Sequence, residues 1–241
     1  MEKKRIVTVY AHPDDESIIS GGTLIKAVKQ GHEVVTICAT RGEAGRIDNP
    51  EEVTRETVGQ AREAELRKAA EIIGIKEVFF LDYIDAKLAE IEDEEAVEKI
   101  VGLLNKLQPQ VVMTFEPEGI SYHPDHIQMH RWTMMALNHP KLNFAPEKIY
   151  WNTIKQSPGR IRRGKVMGKP LEEINTVVDV GDVLQQKSQA VLAHRTQWGL
   201  LKEVFGIREG KVNLAPKEYF LLVDKEGTPL SEIKEWILPD C

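Results

Sequence analysis

Short apolar, β-rich runs alternate along this chain with longer segments whose apolar residues recur every three or four positions. The runs predict strands at residues 5–10, 33–39, 77–81, 109–115, 148–152 and 176–180, with a terminal strand at 219–223. Near-continuous apolar stretches such as Val111-Val112-Met113 suit strands covered on both faces, as parallel strands are. The intervening segments carry helix punctuation. Asn49-Pro50-Glu51-Glu52 offers an N-cap, a proline at the first helical position and a following acid, and Gly74 stands at the far end. Between them Leu66, Ala69, Ala70 and Ile73 share one face. A second helix opens in Asp93-Glu94-Glu95, acids that the positive end of a helix dipole favours. It presents Ala96, Ile100, Leu103, Leu104 and Leu107 before Pro109 stops it. A final helix is expected over about residues 181–201, and residues 156–170, basic and rich in glycine and proline, read as a mobile flap. No repeat or linker interrupts the alternation. It predicts one α/β domain over residues 1–241, a Rossmann-like, mostly parallel sheet with helices on both faces.

Composition narrows the function classes. With 241 residues, 41% hydrophobic and 29% charged, the chain can bury a full core and does not read as disordered. Its 32 basic residues against 38 acids, net −6, argue against a nucleic-acid grip based on bulk positive charge. The two cysteines, Cys38 in an apolar run and Cys241 at the end, make no disulfide framework and fit a reducing cytoplasm. No apolar stretch approaches the ~20 residues of a membrane span. The basic start, Lys3-Lys4-Arg5, is followed by too short an apolar run for a signal peptide. A cytoplasmic protein with no membrane partner is expected.

The chemistry gathers at two strand ends. His12-Pro13-Asp14-Asp15-Glu16 follows the first strand, and His123-Pro124-Asp125-His126 lies just past the strand ending at Phe115. Ligands of open α/β sheets bind outside the carboxyl ends of strands, where both clusters fall. His12, one of Asp14 or Asp15, and one of His123 or His126 make a mixed nitrogen and oxygen set of three. Catalytic zinc takes such a set and keeps an open position, and the metal lowers the pKa of water to roughly 7. Hydrolysis of an amide or ester is the reaction this supports. Two other readings compete. A non-catalytic sugar- or nucleotide-binding Rossmann-like module would need no spare carboxylate beside a filled metal site, and no Gly-x-Gly-x-x-Gly follows a strand. A two-metal phosphodiesterase would need more carboxylate ligands than the clusters supply.

These residues resemble the LmbE/PIG-L family of zinc-dependent N-acetylglucosamine deacetylases. The likeness rests on Ala11-His12-Pro13-Asp14-Asp15-Glu16 and on His123-x-Asp125-His126. It extends to Gly42-Glu43-x-Gly45, Arg62-x-x-Glu65-Leu66-x-x-Ala69 and Lys187-x-x-Ala190-x-x-x-His194 followed by Gln197, spanning about residues 5–200. The resemblance implies an LmbE-like fold, Zn2+ held by His12, Asp15 and His126, and Asp14 as general base. It assigns His123 to the oxyanion or the leaving amine, and Arg62 and Asp85 to sugar hydroxyls. His194 reads either as a buried, hydrogen-bonded core histidine or, sharing one helical face with Lys187, as a substrate contact, and it joins the expected substrate contacts on the second reading. The resemblance also implies a small-molecule N-acetylglucosaminyl substrate and a homo-oligomer, with a hexamer as the form suggested. An anionic aglycone, as in N-acetylglucosaminyl malate, is expected because Arg41 and Arg46 flank the Gly42-Glu43 loop and Arg160, Arg162, Arg163 and Lys165 crowd the flap. Two positions depart from the family pattern: Asp82 and Tyr122 stand where glycine is frequent. The other histidines, His32, His130 and His139, read as structural, and Glu16 as a support for its neighbours. Trp198 is the one tryptophan placed to line a sugar site.

Overall fold

The computed structural model describes residues 2–48, 51–157, 161–162, 165–208 and 211–231. Its strands are β1 (Arg5–Tyr10), β2 (Glu33–Thr40), β3 (Glu77–Tyr83), β4 (Val111–Phe115), β5 (Lys148–Thr153), β6 (Ile161–Arg162), β7 (Lys165–Val166), β8 (Thr176–Asp179), β9 (Ile207–Arg208), β10 (Lys211–Val212) and β11 (Lys217–Val223). Seven of them form one sheet in the order β3-β2-β1-β4-β5-β11-β8. The pairings from β3 through β5 are all parallel, and β11 enters antiparallel between β5 and β8. The expected Rossmann-like, mostly parallel sheet is the observed architecture.

Helices cover both faces. On one, α4 (Asp93–Leu107) and α6 (Pro124–Leu137) set Ile100, Leu104, Met129 and Trp132 against Val7, Val9, Ile37 and Val112. On the other, α2 (Gly21–Lys29), α3 (Val58–Ile73) and α7 (Leu184–Leu192) set Leu24, Ile25, Ala69, Ile73 and Ala190 against Ile6, Val34, Val111 and Met113. Alternate residues of β1 and β4 thus feed opposite cores, the two-sided burial that their continuous apolar runs require. The short helices α1 (Asp15–Ile19), α5 (Gly119–Tyr122) and α8 (Trp198–Phe205) complete the set.

Three expectations change. The helix expected after Asn49-Pro50 begins at Val58; Glu51 and Glu52 lie in a turn, and Asn49 and Pro50 fall outside the described residues. It ends as expected, Gly74 taking a left-handed φ of 92°. The single helix expected over residues 181–201 is broken into α7 and α8 by a turn at His194 and a short 3-10 segment, Arg195–Gln197. The break carries His194 into the interior, a choice that helical periodicity does not reveal. The expected flap is not all coil, since β6 and β7 pair as a short antiparallel hairpin.

One buried ion pair ties the last strand to the first layer of helices. Lys187 of α7 donates to Glu218 of β11 at 2.6 Å, and the Glu218 carboxylate also accepts from the backbone N–H groups of Gly22 and Thr23, each at 2.8 Å. Glu218 therefore satisfies two orphan donors at the start of α2. Removing one partner of such a pair leaves a buried charge without compensation. Lys187→Met should lower unfolding free energy by about 3–5 kcal/mol, read from urea denaturation, because Glu218 is left buried without its partner.

Candidate active site at the sheet switch point

From β1 the chain runs outward through β2 to β3, then returns to place β4 on the other side of β1. The carboxyl ends of β1 and β4 therefore open a crevice at the point where the strand order reverses, the usual ligand position in such sheets. His12 to Glu16 leave β1 at this crevice, and His123 to His126 enter α6 from the loop after β4.

The hydrogen bonds fix how each ring is turned. His12 Nε2 lies 3.0 Å from Asp85 Oδ1 and 3.1 Å from Asp125 Oδ2, two acceptors, so this nitrogen carries the proton. His126 Nδ1 donates to the Gly119 carbonyl at 3.1 Å. The remaining nitrogens, His12 Nδ1 and His126 Nε2, face each other at 3.2 Å. Asp15 joins them, with Oδ1 3.4 Å from His126 Nε2 and Oδ2 3.8 Å from His12 Nδ1. Two lone pairs and a carboxylate converging in a buried place repel one another unless a positive charge stands between them. Ligands at about 2.0–2.1 Å around a tetrahedral centre lie roughly 3.3 Å apart, so the donor set fits a divalent cation such as zinc. The two rings are also held from behind by a carboxylate pair and a backbone carbonyl, the outer support that metal-binding histidines receive.

The electrostatics agree. Burial works against a charged His12 ring, but the hydrogen bonds to Asp125 and Asp85 and the charge of Asp15 outweigh it and push its pKa up to about 10. Asp85 responds in the opposite sense: burial would raise its pKa, yet the His12 contact holds it well below the usual carboxylate range. The carboxylates around His12 thus make the crevice a place that favours positive charge, which either a proton on the ring or a cation between His12 Nδ1, His126 Nε2 and Asp15 can supply.

Other groupings of potential ligands overlap at this ring, and hydrogen bonding separates them. His123 brings a ring nitrogen within 4.8 Å of those of His12 and His126. Its Nδ1 accepts from the Asp125 backbone N–H at 3.2 Å, capping α6, so its Nε2 bears the proton and is a donor. Asp85 and Asp125, which also group with His12, share the proton on its Nε2 and accept from the backbone of Ala44 and Ala86. Asp15 is the carboxylate that faces His12 Nδ1 and His126 Nε2.

Asp14 is set differently. Its backbone takes φ 126°, a left-handed conformation that non-glycine residues rarely adopt. Its Oδ2 lies 3.1 Å from Arg62 Nη2, which also donates to the Pro13 carbonyl at 2.6 Å. Arg62 Nη1 donates to the Gly42 carbonyl at 3.0 Å. A Cβ at Gly42 or at Gly45 would stand 2.3 Å from Arg62 Nη1, so both glycines are needed to wrap the guanidinium. Burial raises the pKa of both Asp14 and Asp15; Arg62 opposes the rise at Asp14, and His12 opposes it at Asp15.

The segment α5, kinked at Ile120, is shaped around His126. Gly119, Ile120 and Tyr122 have φ of 63°, 61° and 57°. A Cβ on Gly119 would lie 2.7 Å from His126 Cβ, so only glycine lets its carbonyl reach the ring. The Phe115 ring stacks on the other side of His126, with centroids 4.1 Å apart. The two departures from the family pattern now have a common physical reading. Asp82 and Tyr122 both hold positive φ, 61° and 57°, the conformation that glycine adopts freely.

The remaining expected site residues separate by what they touch. Arg62 and Asp85 are at the site but engage protein partners, Asp14 and His12 respectively. Arg41 is spanned by Glu63 and Asp82 and lies over the Phe80 ring at 4.6 Å, while Arg46 pairs with Asp48 and Glu203. His194, expected to meet substrate, has no exposed surface and lies against Glu16 at 3.1 Å. Trp198 sits on α8 with its indole N–H on the Leu192 carbonyl. Arg160 and Arg163 fall outside the described residues, and the side chains of Arg162 and Lys165 do also. The residue that sequence reasoning underused is Asp125. Its place inside the histidine signature was the available signal, but its role needs Nε2 of His12, more than a hundred positions away, to come within 3.1 Å.

Comparison with known proteins accords with this geometry. Residues 7–137 match the PIG-L family model, described as GlcNAc-PI de-N-acetylase. The 1D-myo-inositol 2-acetamido-2-deoxy-alpha-D-glucopyranoside deacetylase 2 of Catenulispora acidiphila is 27% identical, over 99% of this chain and 95% of its own length. Among solved structures, N,N'-diacetylchitobiose deacetylase from Pyrococcus horikoshii superposes with a TM-score of 0.70 at 22% identity, covering 95% of this chain and 88% of that one. The 4-carboxy-2-hydroxymuconate hydratase of Pseudomonas putida KT2440 has a TM-score of 0.66 at 20% identity, covering 97% and 99%. The same fold thus carries more than one chemistry, and activity has to be argued from the site. The family match spans more than half of the sequence and includes both histidine clusters, and this chain belongs to the PIG-L family of deacetylases.

Proposed function

We propose that this protein hydrolyses the N-acetyl amide of an N-acetylglucosaminyl compound, with zinc held by His12, Asp15 and His126. The observation that carries the reading is the convergence of His12 Nδ1, His126 Nε2 and the Asp15 carboxylate, with Asp14 left beside them as a carboxylate outside the donor set. When bound, zinc would supply a Lewis acid for the amide carbonyl and lower the pKa of water to roughly 7. Asp14 then takes the proton from the attacking water. Arg62 orients the Asp14 carboxylate while leaving it able to accept, and burial keeps it more basic than an exposed aspartate, which suits a general base. The Nε2–H of His123 donates a hydrogen bond to the negative charge that develops on the carbonyl oxygen, and the proton taken up by Asp14 passes to the departing amine. Asp125 and Asp85 hold the His12 ring so that its free lone pair keeps facing the metal position.

The substrate reading is a glucosamine-type N-acetyl sugar carrying a small polar aglycone. It draws on the inositol glycoside for which the Catenulispora relative is named. Arg41 and Arg46, expected to receive an anionic aglycone, are neutralised by acids of this chain, so charge on the aglycone is left out of the proposal. Among the described residues no helix is long and apolar enough to cross a membrane. We take the chain as one domain, since the main sheet draws its strands from β1 through β11. Assembly into a homo-oligomer and a cytoplasmic location belong to the same proposal.

Three measurements test it. Elemental analysis should find about one zinc per chain, and His12→Ala and His126→Ala should lose most of it; full occupancy in both variants would remove the ligand assignment. Asp14→Asn should keep zinc and the fold while turnover falls by about two to four decades, the usual worth of a general base. Amine release should be followed on the inositol glycoside, N-acetylglucosaminyl malate, diacetylchitobiose and free N-acetylglucosamine, with and without added zinc. Zinc-dependent release from at least one glycoside is expected, and release from none would defeat the deacetylase reading.

A further inference from the structure

The strained backbone of Asp14 needs something to hold it, since a non-glycine residue in such a conformation persists only when its surroundings over-determine it. Its N–H donates to Glu16 Oε2 at 3.1 Å. The other oxygen of Glu16 is held by the Ser17 hydroxyl and by His194 Nε2, the latter at 3.1 Å. Glu16 and His194 are both fully buried, 0% exposed, so neither can touch substrate. His194 reaches this place because the chain breaks between α7 and α8. The residues that follow it are anchored: Thr196 donates to Glu65 on α3 through its N–H at 2.8 Å and its hydroxyl at 2.7 Å. Gln197 donates to the Arg46 carbonyl at 2.8 Å, in the loop that wraps Arg62. The same segment therefore braces both supports of the Asp14 carboxylate, the Glu16 contact to its backbone and the Arg62 contact to its side chain.

We propose that His194 is a positioning residue for the general base: acting through Glu16, it fixes the Asp14 backbone and so the direction of the Asp14 carboxylate. The inference rests on the deacetylase reading for its effect on rate, but its structural core does not. The variants are His194→Ala, His194→Gln, whose amide N–H can replace the imidazole donor, and His194→Asn, which is too short to reach Glu16. Each is purified with zinc and compared with the unaltered protein by crystal structure, zinc content, thermal unfolding and steady-state kinetics on the inositol glycoside.

In His194→Ala the Asp14 backbone should leave its positive φ. Its kcat should fall about 10- to 100-fold with KM and zinc content little changed, the scale of a lost outer support. His194→Gln should keep the Asp14 conformation and recover most of kcat. If His194→Ala does not fold, His194→Asn should show the same loss while remaining folded. An unchanged Asp14 conformation with unaltered kcat in a folded His194→Ala or His194→Asn would overturn the proposal, as would a His194→Gln variant impaired as deeply as His194→Ala. If the unaltered protein releases no amine, the deacetylase reading fails, and the Asp14 conformation in the variants still decides whether His194 holds it.

Discussion

The imidazole of His12 divides the site into a proton side and a lone-pair side. Nε2 is fixed between Asp85 and Asp125, so Nδ1 must present a lone pair to His126 and Asp15. That arrangement is unfavourable in isolation, because it gathers negative and electron-rich groups in a buried crevice. It becomes favourable once a cation occupies their common focus. Much of the surrounding structure serves this condition: Gly119 offers its carbonyl to His126, Phe115 packs on that ring, and the Asp125 backbone N–H turns His123 into a donor.

Backbone strain is concentrated around the same place. Of the six non-glycine residues with positive φ among those described, Gln108 ends a helix, while Asp14, Asp82, Ala86, Ile120 and Tyr122 lie at the carboxyl ends of β1, β3 and β4. Such conformations cost of order 1–3 kcal/mol each and persist where packing and hydrogen bonds enforce them. Here the enforcement is visible: Ala86 donates its N–H to Asp125, and Asp14 donates to Glu16. The two-sided core beneath the sheet supplies the stability against which that strain is held. A rigid scaffold with strained loops at one end holds the side chains of a site in fixed positions relative to one another.

Much of the fold was legible because burial on both faces leaves a strong mark. Strands β1, β2, β4 and β5 are legible to within a few residues, since a two-sided strand must be apolar almost throughout. Helix ends fared unevenly. Gly74 was a dependable stop because a left-handed cap favours glycine, whereas the start of α3 moved to Val58. The split between α7 and α8 was invisible, because a histidine at a helix-compatible spacing reads the same whether it faces solvent or is drawn inward to a buried glutamate.

By itself the sequence determined that the chain forms an α/β sheet and that two clusters rich in histidine and aspartate follow two of its strands. It also contained the residues proposed as the donor set, because ligand chemistry is a property of residue types and their local order. Only the tertiary structure decided how the rings and carboxylates of those residues are turned toward one another. The protonated nitrogen of His12 is set by Asp85 and Asp125, the exclusion of His123 by a helix cap, and the orientation of Asp14 by Arg62 and by Glu16 with His194 behind it. Arg41 looked like a cation awaiting a substrate until folding placed Glu63 and Asp82 on it. Such assignments depend on distances between segments far apart in the chain, and only the packed sheet brings those segments together.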